Sequence, residues 1–169
     1  IIPIIIISIF IKTLTPGKVI YWSERVGIKN KLFLMPKFRT MKEDAPEIAT
    51  DKLKNPNDYI TKLGKFLRKT SLDEIPQLIN VLRGEMSIVG PRPIIEKEKI
   101  RYGDSISNVF SIDPGITGLW QVSGRNNLTY EKRVELDNLY VREVNFITDL
   151  RIIIRTIGVI LFPMDRGAY

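Results

Sequence analysis

A chain of 169 residues is long enough to bury one core without staples. With neither Cys nor His it lacks disulfides, thiolate nucleophiles, imidazole bases and the usual transition-metal ligands, so any chemistry runs on carboxylates, hydroxyls, Lys and Arg, and any metal is a hard cation such as magnesium. A net charge of +7, from 26 basic and 19 acidic residues, favours anionic partners: phosphates, nucleic acid or an anionic membrane face.

The chain opens without Met inside an apolar run, Ile1 to Ile11, broken only by Pro3 and Ser8. A bilayer takes about 20 apolar residues to cross, so this run is too short to span, and it lacks the basic leader and cleavage site of a secretory signal. One reading is a buried strand or core helix. Lys12 and Lys18, following at once, favour a membrane segment already under way. Thr15-Pro16-Gly17 predicts a turn. Val19 to Trp22 and Lys31 to Met35 then predict a hairpin closed by Gly27 to Asn30. The segment Glu43 to Asp58, rich in Pro and acids, predicts a loop.

Ile60, Leu63 and Leu67 predict one face of a short helix with Asp58 as its N-cap, while Lys62, Lys65 and Lys69 line another face. That basic face is either simply solvated or a membrane surface. Pro76 to Arg83 predicts a helix closed by Gly84. Gly90 to Pro93 and most of Asp113 to Asn127 read as loop. Thr129 to Arg142 predicts a charged helix with Tyr130, Val134 and Val141 on one side.

Phe146 to Phe162 is the longest apolar-rich segment. At 3.6 residues per turn, Phe146, Leu150, Ile153, Ile157, Ile160 and Leu161 fall on one side. Thr148, Asp149, Arg151, Arg155 and Thr156 fall opposite. A core-facing helix is one reading. Ile152 and Val159 on the polar side make it more apolar than that role needs, which favours a helix in the membrane interface. The fold class expected is α+β and mainly helical, with a small hairpin near the N-terminus, short helices around an irregular Pro/Gly-rich core, and amphipathic helices at a membrane interface.

The chemistry concentrates at Thr70-Ser71-Leu72-Asp73-Glu74-Ile75-Pro76-Gln77. Two readings of it stand. Ser71 with Glu74 three residues on is a capping box, and acids are common in first turns. Alternatively Pro76, which suits a first helical position, starts the helix. Asp73 and Glu74 would then lie on the turn before it, ionised by the helix dipole. An ionised Asp can attack phosphorus, and a neighbouring carboxylate can hold magnesium. Phosphate chemistry also needs fixed cations. Lys37 and Arg39 flank Phe38, Arg92 is clamped between Pro91 and Pro93, and Gly124-Arg125-Asn126 follows a Gly-rich stretch.

Lys37-Phe38-Arg39-Thr40-Met41, Ser71-Leu72-Asp73-Glu74-Ile75-Pro76-Gln77, Gly90-Pro91-Arg92-Pro93 and Pro114-Gly115-Ile116-Thr117-Gly118-Leu119-Trp120-Gln121-Val122-Ser123-Gly124-Arg125 occur in that order. Together they resemble the bacterial sugar transferase family, the monotopic polyprenyl-phosphate phosphoglycosyl transferases, over essentially the whole chain. The resemblance implies residues 1–12 as the returning arm of a re-entrant membrane helix broken near Pro3, and 13–169 as one catalytic domain. It implies a place on the cytoplasmic face of a bacterial inner membrane, among lipids.

The implied reaction moves a sugar 1-phosphate from a UDP-sugar to polyprenyl (undecaprenyl) phosphate. Asp73 would be the nucleophile, Glu74 the partner of Mg2+, and Lys37, Arg39, Arg68, Arg92 and Arg125 the phosphate-binding cations. Asp137 and Asp149 match acidic positions in related sequences, with helix-surface or salt-bridging roles equally open. Two residues depart from the pattern: Ile2 stands where Ser usually precedes the Pro, and Ser23 where Gln commonly precedes Glu-Arg-Val-Gly. The rival reading is a non-catalytic, anion-binding module on a membrane surface. Nucleic acid is disfavoured, because the aromatics do not interleave with the basic residues as a stacking platform would.

Overall fold

The computed structural model describes residues 2–46, 54–124 and 127–161. It begins with helix α1, Ile2–Leu14. A hairpin follows, β1 (Ile20–Val26) antiparallel to β2 (Leu32–Phe38), turning through a 3-10 stretch at Ile28–Asn30. The turn lies where expected. Both strands run further than their apolar cores, because the ladder continues through Ser23, Glu24 and Arg25.

A short helix α2 (Pro56–Tyr59) breaks the expected loop, and α3 (Lys62–Thr70) follows. Thr61, not Asp58, caps α3, with its hydroxyl accepting from the Gly64 amide. Asp58 belongs to α2 one turn earlier. Helix α3 lies against the end of β2 because residue 64 has no side chain: a Cβ there would stand 2.0 Å from the Thr40 carbonyl oxygen. Thr40 in turn receives hydrogen bonds from the Thr61 amide and from the Arg68 side chain.

After α3 the backbone passes through Ser71 in a left-handed conformation, φ 57°, into a 3-10 stretch Leu72–Gln77 that continues as α4 (Leu78–Leu82). Neither sequence reading of this segment holds whole. The turn starts directly after Ser71, yet the Ser71 side chain makes no cap bond, and Pro76 sits inside the 3-10 stretch, not at a helix start. Gly84 closes the segment as expected, at φ +70°.

Then come β3 (Ser87–Val89), α5 (Lys99–Tyr102), α6 (Ile106–Val109), β4 (Gly115–Thr117), α7 (Leu119–Val122), α8 (Tyr130–Glu143) and α9 (Phe146–Leu161). Strands β3 and β4 pair in parallel, Ser87 with Gly115 and Val89 with Thr117. The β4 segment had read as loop, and β3 had been given no element. A Cβ on Gly115 would meet the Gly90 nitrogen at 2.0 Å, so this close pairing depends on small residues.

Three buried clusters position the rest. Ile11, Phe38 and Leu67 tie α1, β2 and α3 together, and Leu72 and Ile75 pack on them from either side of Asp73-Glu74. Val26, Ile94, Tyr102, Val109, Phe110 and Val134 join the hairpin's far end to α5, α6 and α8. Val89, Tyr140 and Ile152 join β3 to α8 and α9.

That last contact runs against the core-facing reading of α9, because it is the mainly polar side that packs. Its inner side carries Ile152, with Asp149 accepting from the Tyr140 hydroxyl at 2.7 Å and Thr156 bonded to Thr117 at 2.7 Å. Phe146, Ile147, Leu150, Ile154, Ile157 and Leu161 are exposed. On α1, Ile2, Ile5, Ile6, Ile9, Phe10 and Leu14 are exposed likewise. Among the described residues, no helix is long and apolar enough to cross a membrane.

Candidate active site

Hairpin alternation puts Ser23, Arg25 and Lys37 on one face of the sheet, and β2 packs against the 3-10 stretch that bears Asp73 and Glu74. Asn80 helps to pin the two together, donating to the Leu34 carbonyl at 2.9 Å and to Glu85 at 2.7 Å. The carboxylate turn is therefore held by apolar anchors at Leu72 and Ile75 and by a buried amide at Asn80.

Lys37 Nζ donates to Glu74 Oε1 at 2.6 Å, and less than a fifth of either side chain is exposed. Burial depresses the Lys37 pKa, while the Glu74 charge opposes that shift. Asp73 is 9 % exposed. Burial, and then the adjacent Glu74, push its pKa up to about 6 against the pull of Lys37 and Arg68. This corrects the expectation that a helix dipole holds Asp73 well ionised. The turn is 3-10 and short, so desolvation dominates. Even so, the raised pKa lies below neutrality, so the carboxylate form predominates at pH 7.

Arg68 reaches this group from α3: its Nε donates to Thr40 Oγ1 at 2.8 Å and its charge bears on Asp73. Arg92 also bears on Lys37, whose pKa its charge lowers. Its guanidinium lies 5.7 Å from the centre of the Trp120 ring. Arg39 turns elsewhere, donating to the Thr15 hydroxyl at 3.0 Å and carbonyl at 3.2 Å, and so fastens the end of α1 to the hairpin. Arg125 lies outside the described residues.

Asp137 and Asp149 take neither of the roles left open for them. Asp137 is fully buried and accepts from the Tyr102 hydroxyl at 2.8 Å, and burial lifts its pKa to about 7. Asp149 holds Tyr140.

Sequence reasoning missed Arg25. Its Nε donates to the buried Ser23 hydroxyl at 2.9 Å, and its charge is felt at Glu74 and beside Arg92. Burial and Arg92 lower its pKa to about 10, leaving it protonated. The signal was the alternation of Ser23, Arg25 and, across the turn, Lys37. It requires the register to be seen.

On the other side of Glu74 the surroundings turn apolar. A groove of about 210 Å³ runs from Ser71 and Glu74 past Ile75, Leu78, Ile116 and Val122 to Val159 and Ile160 of α9. Its polar floor is the Thr117–Thr156 hydroxyl pair and Gln121, whose amide donates to the Ile116 carbonyl at 3.0 Å.

Hard oxygen donors are what this site offers a metal. Among the described residues no cluster of three or more acidic side chains forms. The pair Asp73-Glu74 suits a cation that takes one or two carboxylates and completes its shell with substrate phosphate oxygens and water, which is the habit of magnesium.

The family model described as "Bacterial sugar transferase" matches residues 1–163. A UDP-galactose-lipid carrier transferase of Erwinia amylovora is 45% identical, over 99% of this chain and 38% of its own length. An undecaprenyl-phosphate galactose phosphotransferase of Salmonella typhimurium is 44% identical, over 90% of this chain and 35% of its own. The exopolysaccharide production protein ExoY of Rhizobium meliloti is 39% identical, over 98% of this chain and 79% of its own. The chain thus spans little more than a third of the first two relatives and most of the third.

Proposed function

The chain belongs to the bacterial sugar transferase family, and from that premise we propose that it transfers a sugar 1-phosphate from a UDP-sugar to undecaprenyl phosphate through a covalent intermediate on Asp73. The reading draws its substrates from the names of the relatives and its chemistry from one observation: a nearly buried Asp73 beside a Glu74 held by Lys37 at 2.6 Å, with Arg68 in electrostatic range.

An Asp73 oxygen attacks the sugar-bearing phosphorus of the donor. The bond to the bridging oxygen breaks, and its electron pair leaves with UMP. A phosphate oxygen of the acceptor then attacks the same phosphorus, the Asp73 carboxylate departs, and a polyprenyl diphospho-sugar is formed. No proton has to move, because both nucleophiles are already anions. This suits a site without His.

Burial that raises the Asp73 pKa also strips water from the carboxylate and strengthens its reactivity towards phosphorus. Lys37, Arg68 and Arg92 meet the phosphates. Glu74, with the substrate phosphate oxygens, would hold magnesium, which when bound neutralises the diphosphate charge. The exposed apolar faces of α1 and α9 support a membrane-surface location, at the cytoplasmic face of the inner membrane where a soluble donor and a lipid acceptor can meet.

The test is UMP release from a panel of UDP-sugars in detergent with magnesium, with intact-mass analysis of the protein before acceptor is added. Wild type should release one UMP per chain and gain the mass of a sugar phosphate. Asp73→Asn should do neither, with turnover reduced by at least about 10⁴-fold and folding intact. Turnover at the wild-type rate in Asp73→Asn would sink the mechanism.

A further inference from the structure

Helix α8 turns a polar face inward. Tyr130, Arg133 and Asp137 stand three and four residues apart, so they share it. Trp120 of α7 is buried against them. The Arg133 guanidinium lies 4.8 Å from the centre of its ring, and Arg92 approaches the same ring at 5.7 Å. Arg101 covers the Tyr130 ring at 4.7 Å. Two guanidiniums thus crowd one indole. Among the described residues, neither has a carboxylate at ion-pair distance.

The hydrogen-bonding groups here are unmatched as well. Among the described residues, Trp120 Nε1, Arg133 Nε and the Tyr130 hydroxyl are buried without a partner, and Asp137 Oδ1 is an acceptor left over beside them. Buried donors normally find acceptors, so three orphans in one patch call for an explanation. The patch is cationic, rich in donors and poor in acceptors. An anion with many oxygens complements it.

Its location narrows the choice. Arg92 is close enough to Lys37 to lower its pKa, and Lys37 holds Glu74. The cluster therefore continues the row of cations that begins at Lys37, and none of its residues lines the apolar groove, which begins at the next residues of α7, Gln121 and Val122. A donor whose sugar-bearing phosphorus sits at Asp73 must send its other phosphate somewhere. Among the described residues, the groove offers that phosphate no cation. The Trp120 cluster offers two.

We propose that Arg133, stacked with Arg92 on Trp120, forms the subsite that receives the departing nucleoside monophosphate. When the bridging P–O bond breaks, its electron pair stays on the oxygen that becomes part of that monophosphate. The two guanidiniums meet the charge gathering there, and the Trp120 and Tyr130 donors meet further oxygens of the nucleotide. This rests on the reaction proposed above and adds Arg133, Trp120 and Tyr130 to it.

The experiment is titration calorimetry of the full chain with UMP and, separately, with uridine, comparing wild type with Arg133→Met and Arg133→Lys. Arg133→Met should weaken UMP binding by about tenfold or more while leaving uridine binding unchanged. Arg133→Lys keeps the charge but loses the stacked fork, so its Kd should fall between the two. Wild-type affinity for UMP in both variants overturns the inference and leaves the reaction standing. So does an equal loss of uridine and UMP, since Arg133 would then act on the nucleoside. If Arg133→Met fails to fold by circular dichroism, unchanged UMP affinity in Arg133→Lys overturns it alone. A wild-type chain that binds no UMP removes both the subsite and the donor class.

Discussion

The two flanks of Asp73-Glu74 are made of opposite materials. Towards α8 stand Lys37, Arg92, Trp120 and Arg133, with buried donors lacking acceptors. Towards α9 stand Ile75, Leu78, Ile116, Val122, Val159 and Ile160, around hydroxyls that satisfy one another. One flank suits a ligand of charge and oxygen, the other a ligand of hydrocarbon. A reaction that passes a phosphoryl group from a nucleotide to a lipid needs both, and needs its nucleophile at the seam. The proposed reaction gives that place to Asp73, whose neighbour Glu74 borders the apolar groove on one side and binds Lys37 on the other.

The comparison breaks most visibly if its apolar half is charged. Val159→Asp puts a carboxylate among Ile75, Ile116 and Ile160 without touching the cations. The acceptor KM should rise by about tenfold or more, while the affinity for UMP stays put, as initial rates and calorimetry would read. A fall in UMP affinity with the acceptor KM unmoved would mean that the flanks have been assigned the wrong way round.

A smaller effect sharpens the seam itself. On the proposed mechanism Asp73 attacks as the anion, so kcat/KM should fall on the acid side with a limb near pH 6, following the raised pKa of about 6. Glu74→Gln removes a like charge that raises that pKa, and frees Lys37 to lower it further. Both changes have the same sign. The limb should move to lower pH in the residual activity of the first half-reaction. A limb that stays in place would detach Asp73 from the observed titration.

What the sequence made legible follows from the range of the interactions involved. The hairpin was readable because Gly27 to Asn30 sits between two apolar runs, and α8 because Thr129 precedes a long charged pattern. Asp73-Glu74 and Lys37 were readable as ordered motifs. The parallel pairing of Ser87–Val89 with Gly115–Thr117 was hidden, since three residues show no period and the Gly positions look like loop. Periodicity found the two stripes of α9 but not which one packs. The protein buries Ile152 between Asp149 and Thr156 because Tyr140 and Thr117 wait there as partners. Arg25 stands 95 residues from Trp120 and 108 from Arg133, and although Arg25 and Trp120 lie in recognisable motifs, no local pattern says that they meet the same group of side chains.

The smallest effect concerns the one acceptor on the cationic flank. Burial raises Asp137 from the ordinary carboxylate range to about 7, and Arg92's charge opposes this. A raised carboxylate pKa means that the folded state prefers the neutral form. Its contribution to stability is complete below about pH 4 and is lost as the pH climbs through 7. Asn has the same shape and cannot ionise, so Asp137→Asn should gain on wild type as the pH rises. The difference in Tm should widen by roughly 5 °C between pH 5 and pH 8, measured by thermal melts of both proteins in matched buffers. A constant difference would mean that Arg92 keeps Asp137 ionised throughout. The cationic flank would then carry its own counter-charge, and its guanidiniums would be less ready to receive a phosphate.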